Sequence, residues 1–145
     1  MNRRLWTLYA SLTALLMAPL APVKAQAGGA GKPHKVVFQV SDADPAKWNL
    51  ALNNASNVQQ DLGKDNVAIE IVAYGPGIGM LKLDSVVGTR VAEAMRSGTS
   101  IVACVNTMTK QKLSRDDMLS KIGYVEAGVV QLMKRQEEGY AYIRP

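Results

Sequence analysis

The chain of 145 residues carries 17 basic and 12 acidic side chains, one histidine and one cysteine, for a formal charge of +5. Three of the cations, Arg3, Arg4 and Lys24, lie in a stretch patterned as an export signal, and without them 14 basic residues face 12 acidic ones, a formal charge of +2. That near balance, with no Lys/Arg run interleaved with aromatics, excludes a binder of phosphate backbones, so no nucleic-acid partner is expected.

Residues 1–27 combine the basic start at Arg3 and Arg4, an apolar run from Leu5 to Leu20 and an Ala25-Gln26-Ala27 cleavage pattern. Cleavage there predicts a periplasmic or secreted protein with no membrane attachment. An uncleaved anchor is the alternative, disfavoured because the apolar run is short and contains Ser and Thr. The paired arginine also permits twin-arginine export. About 118 residues remain, enough for one domain. Residues 28–34, glycine-rich and without apolar period, are expected to be a flexible lead-in to a domain over residues 35–145.

An exported protein meets an oxidising compartment, yet a single cysteine closes no internal disulfide. Cys104 is therefore a packed core thiol, a link between chains, or a chemically used group. His34, the one histidine, falls in the expected lead-in, which leaves a Ser–His–acid hydrolase weakly supported. One His and one Cys without clustered partners predict no protein-built metal site.

Residues 35–40 are apolar and β-prone and predict the first strand. Asp44 then caps a helix whose first position is Pro45, with Trp48, Ala51, Leu52, Ala55, Val58 and Leu62 on one stripe and Gly63 as its stop. Asn49, Asn53 and Asn57 recur on another face, either as a solvated surface or as the lining of a subunit contact. Residues 67–74 predict the second strand, which runs into Gly75-Pro76-Gly77-Ile78-Gly79. The spacing is not that of a dinucleotide fingerprint, so no cofactor is expected. The glycines serve either tight turning or the wall of a pocket.

A helix is expected over residues 89–96, with Gly98 as its stop, followed by a short buried strand ending at Cys104. Asn106 and Thr107 lie where the chain must turn, and backbone N–H groups of a helix starting there would favour the thiolate of Cys104. Lys110, Lys112 and Arg115 follow closely. Folded over the sulfur they would also depress its pKa; otherwise they are solvated loop cations. Residues 108–111 predict a loop or single turn, and Ser114 to Asp117 has capping-box spacing and introduces a short helix through Met118 and Leu119. A brief strand at Tyr124 and Val125 precedes a helix over residues 127–138, with Val129, Leu132 and Met133 inward and Lys134, Arg135, Glu137 and Glu138 outward. Residues 140–143 alternate and add a last strand, which Pro145 ends. The pattern is that of an α/β single-domain layer sandwich, a mostly parallel sheet of about five strands flanked by helices on both faces.

The segments HKVVFQVSDADPAKW, LALNNASN, YGPGIGM, ACVNTM and RQEEGYAYIRP together resemble the DsrE/DsrF-like family in its small exported branch, over residues 35–145. The resemblance implies a DsrE-like fold, assembly into homo-oligomers, and a role in sulfur relay in which a cysteine carries sulfane sulfur as a persulfide. Of this chain's residues Cys104 matches that role, and Val105 stands where many relatives carry glycine. On this reading Cys104 is the catalytic residue, Asn106 and Thr107 orient the terminal sulfur, and Gly75, Gly77 and Gly79 shape the mouth. The partners are then a sulfur donor or acceptor, protein or small sulfur species. The competing expectation is a non-enzymatic homo-oligomer that binds a small ligand or partner, with Cys104 structural.

Overall fold

The computed structural model describes residues 31–145, so the export signal and the start of the lead-in lie outside the described residues. Five strands form one sheet: β1 (His34–Val40), β2 (Val67–Ala73), β3 (Ser100–Cys104), β4 (Gly123–Val125) and β5 (Ala141–Ile143). All neighbours pair in parallel, in the order β4-β3-β2-β1-β5. His34 opens β1 instead of belonging to the lead-in, its N–H donating to Asn66 O at 3.1 Å. Its side chain is exposed at the amino-terminal edge of the sheet, the edge opposite the one where Cys104 lies.

Among the described residues the α-helices are α1 (Pro45–Leu62), α2 (Gly88–Arg96), α3 (Val105–Lys110) and α4 (Gly128–Glu137). In α1 the sequence logic is met at both ends. Asp44 Oδ1 accepts from Ala46 N at 2.8 Å, Pro45 takes the first turn, and Gly63 closes the helix at φ 84°. Trp48, Ala51, Leu52 and Ala55 are buried against the strands. Arg90 of α2 donates to the amide oxygens of Asn49 and Asn53, the latter at 2.6 Å. Those two asparagines therefore clamp α2 to α1, which is neither of the two uses expected for them.

Crossovers between parallel strands are right-handed, so the direction of winding fixes the face on which each helix lies. Going from β1 through β2 and β3 to β4, the chain steps one way, and α1, α2 and α3 pack on one face. There Phe38, Ile69, Ile71, Ile101, Ala103 and Met108 share one core cluster. After β4 the chain returns across the sheet to lay β5 beside β1, and α4 lies on the opposite face, where Val37, Val72, Val102 and Leu132 form a second, smaller cluster.

That second face carries Glu70, 2% exposed in the middle of β2. Its carboxylate accepts from Arg135 Nη2 at 2.7 Å, Arg135 Nε at 3.1 Å, Gln131 Nε2 at 2.6 Å and Ser100 Oγ at 3.3 Å. A buried carboxylate needs such partners, and they set the rotation of α4. Arg135, expected outward, turns to the sheet and also holds Glu138 at 2.6 Å, while Val129 and Met133, expected inward, are each 55% exposed. Expected coverage of both faces is thus uneven, because one ten-residue helix spans the second face.

Two shorter differences lie in the connections. The glycine-rich stretch is a 3-10 helix, Gly75–Leu81, and the capping box at Ser114 forms as read but opens only the 3-10 turn Arg115–Asp117. Met118 leaves that turn to bridge antiparallel to Lys82.

A cysteine at the topological switch point

Beyond the carboxyl ends of β3 and β4 the chain parts in opposite directions, to α3 on one face and to α4 on the other. In open α/β sheets such a crevice is where ligands bind. Cys104, the last residue of β3, sits in it, paired in register with Val125 of β4. Its side chain points to the α4 side, as that of Val102 does two residues earlier, and it belongs to neither core cluster.

The helix expected to start near Asn106 begins at once: α3 occupies the residues read as a turn and a loop, with Cys104 as its amino-terminal flank. Burial raises the pKa of the thiol, but hydrogen bonds from the Thr107 hydroxyl and from the amides of Gly128, Thr107 and Asn106 outweigh it, and the net position is below the ordinary thiol value. The donors are uncharged. Lys110 and Lys112 are exposed, and the Arg115 guanidinium stacks on Tyr124 at 4.4 Å from the ring centre, so of the two uses open to these cations the lid over the sulfur does not form. The residue is only 4% exposed. In its protonated form the thiol donates to Glu126 O at 3.7 Å, an oxygen that also accepts from Asn106 N at 3.0 Å.

Thr107 connects the sulfur to the glycine-rich segment. Its Oγ1 accepts from Gly75 N at 2.9 Å, which leaves its proton for Cys104, and Gly75 O accepts from Gln111 Nε2 at 3.3 Å. Gly75, at φ 54°, is therefore part of the site. Gly77 is not: a Cβ there would stand 2.3 Å from Val40 O, so this glycine lets the chain cross the end of β1. Gly79 lies against the Trp48 ring, where a Cβ would meet it at 3.1 Å. Of the three glycines, two serve tight packing and one the cysteine. Asn106 contributes its backbone amide, with its side chain exposed.

Two participants were not singled out from the sequence. Gly128, at the first position of α4, brings its amide to the sulfur, and a Cβ there would press on Tyr74 at 2.9 Å. Tyr74 closes the crevice from β2. Burial, then the nearby Tyr142, raise its phenol above the usual value, so it stays neutral. A glycine opening a helix was the one available signal. Along the same edge Asp42 pairs with Lys47 at 3.2 Å and Arg144 at 3.3 Å, and its carboxyl is held low first by Lys47. A groove of about 390 Å³ runs between β4 and α4, walled in part by Ala127 and by Glu126, whose carbonyl oxygen lies 3.7 Å from the sulfur.

Among the described residues no three His, Cys, Asp or Glu side chains stand close enough to hold a metal ion, and no helix is long and apolar enough to cross a membrane.

Fold and site define a small α/β protein with one amide-cradled thiol at a sheet switch point. The solved structure of a protein of unknown function, MTH1491, from Methanobacterium thermoautotrophicum is similar at TM-score 0.73 and 37% identity, over 77% of this chain and 99% of that one. The chain belongs to the family of that protein. BT1422 from Bacteroides thetaiotaomicron, also of unknown function, shares the fold at TM-score 0.59 and 16% identity, over 77% of this chain and 94% of its own. No family model and no curated protein matches the chain.

Proposed function

We propose that the protein handles sulfur in the manner of the DsrE/DsrF-like proteins it resembles, with Cys104 as a persulfide carrier. The supporting observation is the cradle of Thr107, Gly128 and Asn106 donors that favours the thiolate, the nucleophilic form. In the transfer Cys104 as thiolate attacks the terminal sulfur of a hydropersulfide or polysulfide. A new S–S bond forms at Cys104, the donor's S–S bond breaks, and the electron pair leaves on the donor thiolate. An acceptor thiolate then attacks the outer sulfur and returns Cys104 to its thiolate, so oxidation states balance across the cycle. Cys104 is only 4% exposed, and its sulfur lies 3.7 Å from Glu126 O, in the link that walls the groove beside α4, so transfer requires local opening around it.

The test is intact mass after treatment with polysulfide. Addition of one sulfur to the native protein, absent in Cys104→Ser, is expected. Addition only after unfolding refutes the carrier role and leaves the second reading, a ligand-binding or partner-binding protein with Cys104 packed. The low exposure of Cys104 favours that second reading.

We further propose, from the sequence reading, that the mature protein is exported and homo-oligomeric. Val129, Val130 and Met133 of α4 and Tyr142 of β5 leave exposed apolar surface on the thinly covered side of the sheet, and association would hide it. Sedimentation is expected to show an assembly at micromolar concentration that Val130→Glu with Met133→Glu dissociates. A wild-type monomer would refute it.

A further inference from the structure

At the amino-terminal edge of the sheet, four residues of β3 or roughly 13 Å away from Cys104, a cavity of about 730 Å³ opens between α2 and the segment entering β4. Its size is that of small-molecule sites. Ala92, Met95 and Ile101 provide an apolar wall, while Arg96 and Lys121 stand at the rim with the Ser120 hydroxyl. No acidic residue lines it. The carboxylate nearest Arg96, that of Glu93, is 4.0 Å off in an exposed pair and leaves the guanidinium free to bind. Lys121 is held at φ 68°, a conformation that side chains other than glycine and asparagine rarely adopt.

Two unneutralised cations over an aliphatic wall select an anion with an apolar tail, and the absence of aromatic residues from the lining favours an aliphatic one. We propose that this cavity binds a small aliphatic carboxylate, its head between Arg96 and Lys121 and its chain along Ala92, Met95 and Ile101. The site is independent of the sulfur chemistry at Cys104.

The experiment is an amide chemical-shift titration of the mature protein with octanoate, with octanol and acetate as the tail alone and the head alone. Octanoate is expected to saturate, with shifts confined to residues 92–101 and 120–123, and each half-ligand to bind at least about tenfold more weakly. Arg96→Ala with Lys121→Asn, the asparagine chosen to tolerate the left-handed backbone, is expected to weaken octanoate by about tenfold or more. Ala92→Trp, which fills the cavity from the partly exposed side of α2, is expected to abolish binding with the remaining spectrum retained. Lack of saturation, shifts mapping elsewhere, octanol or acetate binding as well as octanoate, or indifference to the charge removal would each overturn the proposal.

Discussion

Replacing Arg135 by Met removes both guanidinium contacts to Glu70, at 2.7 and 3.1 Å, and leaves a carboxylate 2% exposed with only Gln131 and Ser100 to satisfy it. Breaking a buried pair from one side costs about 3–5 kcal/mol. Arg135 is itself 27% exposed, so water reaches part of the vacated space and the lower end, about 3 kcal/mol, is expected. For a domain of this size that is a large share of a total of about 5–15 kcal/mol, and a fall in Tm of roughly 10 °C. Urea unfolding followed by circular dichroism reads the change as a shift in midpoint at unchanged slope. Glu70→Gln in the same chain removes the charge that Arg135→Met strands, and the double variant is expected to recover to within about 1.5 kcal/mol of wild type. If Arg135→Met is neutral, or if the double variant is as unstable as the two losses summed, the ion pair does not hold α4 on the sheet.

The folded-state pKa of Cys104 lies below its unfolded value, so alkylation by iodoacetamide is expected to rise with pH along a curve centred lower than that of the unfolded chain's thiol, and Thr107→Val should move that curve up and slow the reaction at neutral pH by about threefold to tenfold. By linkage the same depression stabilises the fold fully above the unfolded thiol pKa and is lost as pH falls through the folded one, so Cys104→Ser should flatten the stability rise towards pH 9. Unchanged curves in both variants would refute the cradle. Gly77→Ala sets a Cβ 2.3 Å from the Val40 carbonyl and is expected to cost more than about 3 kcal/mol, whereas Gly79→Ala, against the Trp48 ring edge, should cost less than half as much; equal midpoints in urea would show that the crossing relaxes freely.

Local chemistry, complete within a few residues, made much of the fold legible in the sequence: the cap at Asp44 and Pro45, the stripe from Trp48 to Ala55, the stop at Gly63, the capping box at Ser114 and five strands in the right places. Cys104 could be placed at a strand end because an apolar β-branched run stops there. What periodicity could not supply was the rotation of α4. Val129 and Met133 look inward on hydropathy alone, but Glu70, sixty-one residues upstream of Gln131, needs hydrogen bonds inside the sheet, and Gln131 and Arg135 must face it.

The site divides the same way. The sequence by itself determined that a single thiol follows a buried strand and precedes a run able to start a helix, since both depend on neighbouring residues. Only the tertiary structure decided strand order, and with it the reversal between β3 and β4 that opens a crevice at this sulfur. It also decided which donors converge there: Thr107 from the next turn, Gly128 from a helix 24 residues on, and Gly75 braced from behind. Right-handed crossover fixes a helix's face only once the order of the strands is set, and that order is a property of the whole sheet, with no trace in any one segment of chain.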